Sequence, residues 1–175
     1  MPHRLTPPVV VMGVSAAGKS SVAESLAGIL GVPWRDADAL HPPQNIAKMA
    51  RGRPLTDADR WSWLDTVGRE LGAGSMGEGP VMACSALRRA YRDRLREHAP
   101  TALFVHLTGP PELLAARAAA RKGHYMPPSL LPSQLAVLEP LEPDEAGVTI
   151  DVTPPVAEIA AAAASWIRRH VGDDV

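Results

Sequence analysis

The chain has 175 residues, enough for one well-buried domain and too few for two ordinary ones. Its formal net charge of −1 carries no basic excess to draw nucleic acid or an anionic membrane surface, and no apolar run reaches membrane-spanning length. Cys84 is the single cysteine, which excludes an internal disulfide, fits a reducing compartment and is expected in the core.

Residues 1–8 lack the apolar segment of a secretory signal and read as a flexible N-terminus of a cytoplasmic protein. The first structural signal follows at once. Val9-Val10-Val11-Met12 is a buried-strand pattern, and Ser21-Val22-Ala23-Glu24-Ser25-Leu26-Ala27 is a helical one. Between them, Gly13-Val14-Ser15-Ala16-Ala17-Gly18-Lys19-Ser20 matches G-x-x-x-x-G-K-[ST]. In that arrangement backbone N–H groups cradle phosphates, lysine reaches the β/γ-phosphates and the hydroxyl ligates Mg²⁺. Lys19 and Ser20 take those roles, and the ligand is a nucleoside triphosphate. Lysine is rare in this arginine-biased chain, occurring only as Lys19, Lys48 and Lys122.

Gly31-Val32-Pro33 breaks the helix, and Trp34 to Asp38 reads as a second strand ending in two carboxylates. Strand alternation predicts Asp36 and Asp38 on one side, at the sheet edge where ligands of α/β folds gather. Two acids beside a phosphate need a cation, so Asp36 is expected to order Mg²⁺ and Asp38 to accept a proton from, or position, an attacking hydroxyl. Next, Asn45 and Lys48 fall on one face of a short helix behind His41. The three either converge on a polyhydroxylated or anionic acceptor or belong to an ordinary surface helix; spacing does not choose. Thr56 to Asp59 has the pattern of a capping box ahead of a third helix, whose Trp61 and Trp63 are expected in packing roles and whose Arg60 is a candidate for an anionic acceptor. The D-x-x-G at 65–68 lies inside this helix and no N-K-x-D follows, so it is read as chance.

Pro80 to Cys84 reads as a third strand, after the glycine-rich stretch 72–79. In the helix that follows, Arg89, Asp93 and Glu97 compensate one another, whereas Arg88, Arg92 and Arg96 share a face without an acid. Arg88, nearest the strand tip, is the first candidate for an anionic partner, Arg92 the second, and Arg96 is expected in solvent. Thr101 to Leu107 is a fourth strand, and Gly109-Pro110-Pro111 opens a helix that ends in Arg117 and Arg121. A basic helix end running into a Gly/Pro-rich segment suits a lid, about residues 121–134, that brings charge over a transferred phosphoryl group. Gly147 to Val152 is the fifth strand; Asp151 is expected to cap the next turn rather than hold metal, and an Ala-rich helix closes the chain.

With these segments placed, the sequence resembles the gluconate kinases, P-loop small-molecule kinases related to shikimate and adenylate kinases. The resemblance rests on Met12 to Ser15 with Gly18-Lys19-Ser20, on Asp36-Ala37-Asp38 with Leu40-His41-Pro42, Asn45 and Lys48-Met49, and on Asp59-Arg60 with Trp63-Leu64. It continues through Cys84-Ser85-Ala86-Leu87, Tyr91-Arg92-Asp93, Arg117, Arg121 to His124, Gln134 and Leu138-Glu139. It implies a three-layer α/β fold in a single domain, a five-stranded parallel sheet with helices on both faces and a lid, and an acceptor region at about 37–66. It also implies ATP-dependent phosphorylation of D-gluconate to 6-phospho-D-gluconate, with Mg²⁺ and a homodimer. By position, Gly13, Ser15, Ala16, Ala17, Gly18, Lys19, Ser20 and Ser21 would bind ATP with Arg117 and Arg121; Lys19, Asp38 and Arg121 would act in catalysis; Ser20 and Asp36 would hold the metal. Asp38, His41, Lys48, Arg60, Arg88, His124 and Gln134 would face the acceptor, and Arg117 with Pro154 would pack on adenine. Ala16-Ala17 departs from the Gly-Ser usual in such loops, which predicts altered ATP affinity and retained activity, because backbone groups do the cradling. Two readings compete: a P-loop kinase for another small acceptor (shikimate or a nucleoside monophosphate) and a nucleotide-binding module without turnover.

Overall fold

The computed structural model describes residues 5–74, 78–120 and 130–172. Its centre is β1 (Val9–Met12), whose four residues are wholly buried, as a strand flanked by strands and covered on both faces must be. Around it lie β2 (Trp34–Asp36), β3 (Val81–Ala83), β4 (Leu103–Thr108) and β5 (Gly147–Asp151), in the order β2-β3-β1-β4-β5. Every pairing is parallel, with Val10 opposite Met82 on one side and Phe104 on the other. The sheet carries the five strands expected, and β2 and β5, half-exposed, are its edges.

The alternation of β1 sorts the core into two layers. Val9 and Val11 face α1 (Lys19–Leu30), α5 (Pro111–Ala120) and α7 (Val156–Gly172), packing with Leu26, Leu114 and Ile159. Val10 and Met12 face α3 (Asp57–Gly72) and α4 (Arg89–His98), packing with Trp63, Leu64, Tyr91 and Leu95. Two short helices complete the fold, α2 (Pro43–Ala50) and α6 (Leu131–Val137), the latter against the turn that follows β1. The chain leaves β1 for β2 on one side and later fills β4 on the other, so its connections diverge above β1, and open α/β sheets bind ligands at such a point.

The capping box is present: Thr56 Oγ1 accepts from Asp59 N, and Asp59 Oδ2 accepts from Thr56 N at 2.8 Å. Asp151 caps its turn as expected, accepting from Thr153 N at 2.7 Å. Two expectations need correcting. The second strand stops at Asp36, and Asp38 belongs to a 3₁₀ turn over Ala37–Leu40, because the Asp36 side chain accepts the Asp38 N–H at 2.9 Å and bends the backbone there. Of the three arginines expected on one open face, Arg92 and Arg96 are not left to solvent or ligand either. Arg92 is completely buried, with Nε and Nη2 on the Glu145 carboxylate at 2.7 and 2.9 Å, and Arg96 reaches the same carboxylate while lying over the Phe104 ring. The compensating acid is 53 positions away in sequence, beyond the reach of any i,i+4 rule. Arg89 also looks beyond its own helix, adding Glu142 and Asp144 to its expected partner Asp93.

Candidate active site

The loop after β1 is shaped by two glycines. Gly13, at φ 148°, donates its N–H to Ser85 O at 3.2 Å, and a Cβ there would meet Leu107 O at 2.7 Å. Gly18, at φ 86°, precedes the first residue of α1, so the unpaired amides and positive dipole end of that helix face the loop. Ala16 and Ala17 form a single 3₁₀ turn with Ser15 and bury their methyl groups in the core layer of α1, α5 and α7. Lys19 folds back to donate to Val14 O at 2.9 Å. Ser20 Oγ donates to Asp36 Oδ2 at 2.9 Å, which joins the first turn of α1 to the end of β2.

Three cavities are lined by residues of this loop or by the acceptor candidates. One, of about 360 Å³, is lined by Ser15, Gly18, Lys19, Ser20, Asp38 and Arg117 among others, so the loop lysine and the second carboxylate face the same space. A second, of about 290 Å³, lies between Arg117 and the turn Val152 to Val156, with Pro154 and Pro155 as its wall; Arg117 lines both. A third, of about 280 Å³, is bounded by Met49, Leu55, Leu130 and Val137 and receives Arg60, Ser133 and Gln134. Arg121 and His124, with most of the segment read as a lid, lie outside the described residues.

The residues expected to face the acceptor are held by one another and by their neighbours. Arg60 Nη1 donates to Leu55 O and to Tyr91 Oη at 2.6 and 3.0 Å, Tyr91 Oη donates to Asp57, and Asp57 Oδ2 lies 3.7 Å from Arg88 Nη1. Arg60, in α3, and Arg88, just ahead of α4, are therefore brought to the two sides of one Tyr91–Asp57 bridge. The sequence reading missed this bridge; its faint signal is that Arg88 and Tyr91 are one turn apart, as are Asp57 and Arg60. Lys48 Nζ donates to Asp59 Oδ2 at 2.7 Å; this bond and the Thr56 N–H hold the Asp59 carboxyl down at about 2. Gln134 reaches across from α6 to accept the Ser15 N–H at 2.7 Å, a tie to the phosphate loop that spacing does not suggest.

His41 lies flat on Trp63, ring centroids 3.9 Å apart, and burial followed by the nearby Arg60 charge lowers its pKa to about 4. Trp63 Nε1 donates to Ala37 O at 2.8 Å, so the same indole anchors the turn that carries Asp38. Cys84 is the core residue expected, its thiol pushed up to about 12 by burial and then by the Asp38 charge. The described residues contain no cluster of three or more His, Cys, Asp or Glu side chains able to hold a metal by themselves. The Ser20–Asp36 pair instead suits Mg²⁺, which binds through one or two protein oxygens together with water and substrate phosphates.

A phosphate loop opening a helix, a carboxylate sharing its cavity and a basic acceptor wall on a parallel sheet define a P-loop small-molecule kinase. No protein-family model matches the sequence. The chain is 50% identical to a gluconokinase of Gluconobacter oxydans over 141 residues, 78% of each chain. It is 38% identical to the thermoresistant gluconokinase of Escherichia coli over 162 residues, covering 91% of this chain and 93% of that one. The crystal structure of a gluconokinase from Sinorhizobium meliloti superposes with a TM-score of 0.87 at 47% identity, over 97% of this chain and 96% of that one. The chain belongs to the gluconokinase family. A shikimate kinase from Acinetobacter baumannii, at 17% identity and TM-score 0.59, shares the fold.

Proposed function

We propose that this protein transfers the γ-phosphoryl group of ATP to the terminal hydroxyl of D-gluconate, giving 6-phospho-D-gluconate and ADP. The observation that carries the reading is the cavity shared by Lys19 and Asp38, together with membership of the gluconokinase family. The triphosphate lies against the loop and the start of α1, with adenine between Arg117 and the Pro154-Pro155 wall. Lys19 leaves Val14 O for the β/γ-phosphates. Ser20 and Asp36 would hold Mg²⁺, which would supply positive charge to the triphosphate. On the acceptor side, Arg60 or Arg88 pairs with the gluconate carboxylate, and Asp38 takes the hydroxyl proton as the new O–P bond forms and the β,γ-bridging O–P bond breaks. Arg121 completes the charge around the transferred group. The protein works in the cytoplasm, as a homodimer.

The test is ADP release followed with and without gluconate, beside a panel of shikimate and nucleoside monophosphates. Gluconate-dependent release that falls about 10³-fold in Asp38→Asn, with ATP affinity retained, supports the reading. ATP binding without gluconate-dependent release refutes it, as does preference for another acceptor. Light scattering in solution tests the dimer.

A further inference from the structure

Asp57 and Arg60 stand one turn apart on α3, a spacing at which a carboxylate and a guanidinium on one helix can pair directly. Among the described residues they form no ion pair. Arg60 Nη1 donates instead to Leu55 O at 2.6 Å and to Tyr91 Oη at 3.0 Å. The Asp57 carboxylate accepts from the phenol of Tyr91, and the cation it meets, at 3.7 Å, is Arg88.

The direction of this bridge follows from the groups that make it. A guanidinium has no lone pair to offer and an ionised carboxylate no proton, so the phenol aims its proton at Asp57 and its lone pair at Arg60. Burial, followed by the bond to Asp57, raises the pKa of Tyr91 and keeps that proton in place. The buried ring is itself held, with Arg60 Cζ 5.1 Å from its centroid and the Trp61 ring edge-on at 5.9 Å. Nε and Nη2 of Arg60 make no hydrogen bond among the described residues, and Arg60 is the one charged described residue lining the cavity it shares with Met49, Leu55 and Gln134.

We infer that Tyr91 is a positioning residue: its hydroxyl stands between Asp57 and Arg60 and keeps the Arg60 guanidinium available to the carboxylate of the acceptor. This rests on the reading that a guanidinium pairs with the gluconate carboxylate, and it narrows that reading to Arg60, because Asp57 draws Arg88. Without the hydroxyl, Asp57 and Arg60 pair directly, and a planar guanidinium taken by one carboxylate is closed to another. A neutral phenol suits the task, since it satisfies both charges and cancels neither.

The experiment measures kcat and KM for both substrates in full-length variants. Tyr91→Phe keeps the ring and removes the hydroxyl; KM for gluconate is expected to rise about tenfold, with kcat and KM for ATP within about threefold. Adding Asp57→Ala to that chain removes the competing acid, and KM for gluconate is expected to return to within about threefold of the wild type, a recovery that lost packing would not show. Asp57→Glu asks the same question with the hydroxyl in place, at a half-exposed position where the fold is retained. The acid, one methylene longer, reaches past the phenol to Arg60, and KM for gluconate is expected to rise about threefold. An unchanged KM for gluconate in Tyr91→Phe, a rise that Asp57→Ala does not relieve, or equal losses for both substrates would each overturn the role of Tyr91. Where Tyr91→Phe does not fold, an unchanged KM in Asp57→Glu would do so. Arg60→Met checks the premise separately: KM for gluconate raised about 100-fold supports it. An unchanged KM there would take the carboxylate away from Arg60, and the inference with it, while gluconate-dependent ADP release would still stand.

Discussion

The two walls of the cleft are built on different principles. The proposed nucleotide wall is local and largely made of backbone: a loop of eight residues, one helix terminus and a turn of two prolines, with Arg117 as the charged side chain that lines both of its cavities. The proposed acceptor wall is made of side chains that find one another across the chain, with Arg60 and Arg88 held at Tyr91 and Asp57, and the same kind of long-range pairing puts Arg92 and Arg96 on Glu145 inside the fold. A backbone cradle works with whatever side chains keep its shape, whereas a wall of paired charges depends on every member. Damage to the first wall should therefore appear in turnover, and damage to the buried charge pairs in stability.

Lys19→Met gives the sharpest break. It should lower kcat about 10³-fold with little change in melting temperature, since the thioether fills the same buried space; a large loss of stability would contradict the contrast. Glu145→Ala is the counterpart, because it strands the buried Arg92 guanidinium, which also holds Ala86 O at 3.0 Å in the turn before α4. Urea unfolding should show a loss of about 3–5 kcal/mol.

The same carboxylate sets an acid limit. Burial pushes the Glu145 carboxyl up, but bonds from Arg92, from Glu142 N–H and from Arg96 outweigh it and hold the group at about 2 against an ordinary 4.5. A depressed carboxyl stabilises the fold above its unfolded value, so this contribution is complete above pH ~4.5 and is lost as pH falls through about 2. Thermal melts between those limits should decline less steeply in Glu145→Ala than in the wild type.

Smaller effects sharpen the contrast. Arg117→Ala should raise KM for ATP about tenfold and leave KM for gluconate unchanged, since Arg117 lines both cavities proposed for the nucleotide. Thr56→Ala removes the cap of α3 at a cost of about 1 kcal/mol in unfolding free energy, with kcat preserved. The smallest change expected is in Ala16→Gly with Ala17→Ser, a few-fold shift in KM for ATP at constant kcat; lost turnover would show that the loop side chains matter beyond the backbone they shape.

How far each wall could be read in advance follows from the same difference. The strand, glycine loop and helix of residues 9–27 are recognised from adjacent residues because their interactions are adjacent: Gly18 turns the backbone that starts α1. The capping box of Thr56 and the turn after Asp151 are legible for the same reason. Asp38 lines one cavity with Lys19, but by a route that strand alternation does not give, since the chain leaves the strand at Asp36 and turns through a 3₁₀ segment. Arg92 and Arg96 were misjudged because helix spacing sees four residues ahead and Glu145 is about fifty away.

Sequence alone determined the alternation of strands and helices, the phosphate cradle and the chemical types at the sheet edge, because periodicity, glycine conformation and capping act over a few residues. Only the tertiary structure decided which charges are spent on the fold and which face the cleft. That choice depends on pairs formed across the core, where a buried guanidinium must find its carboxylate wherever the chain has carried it.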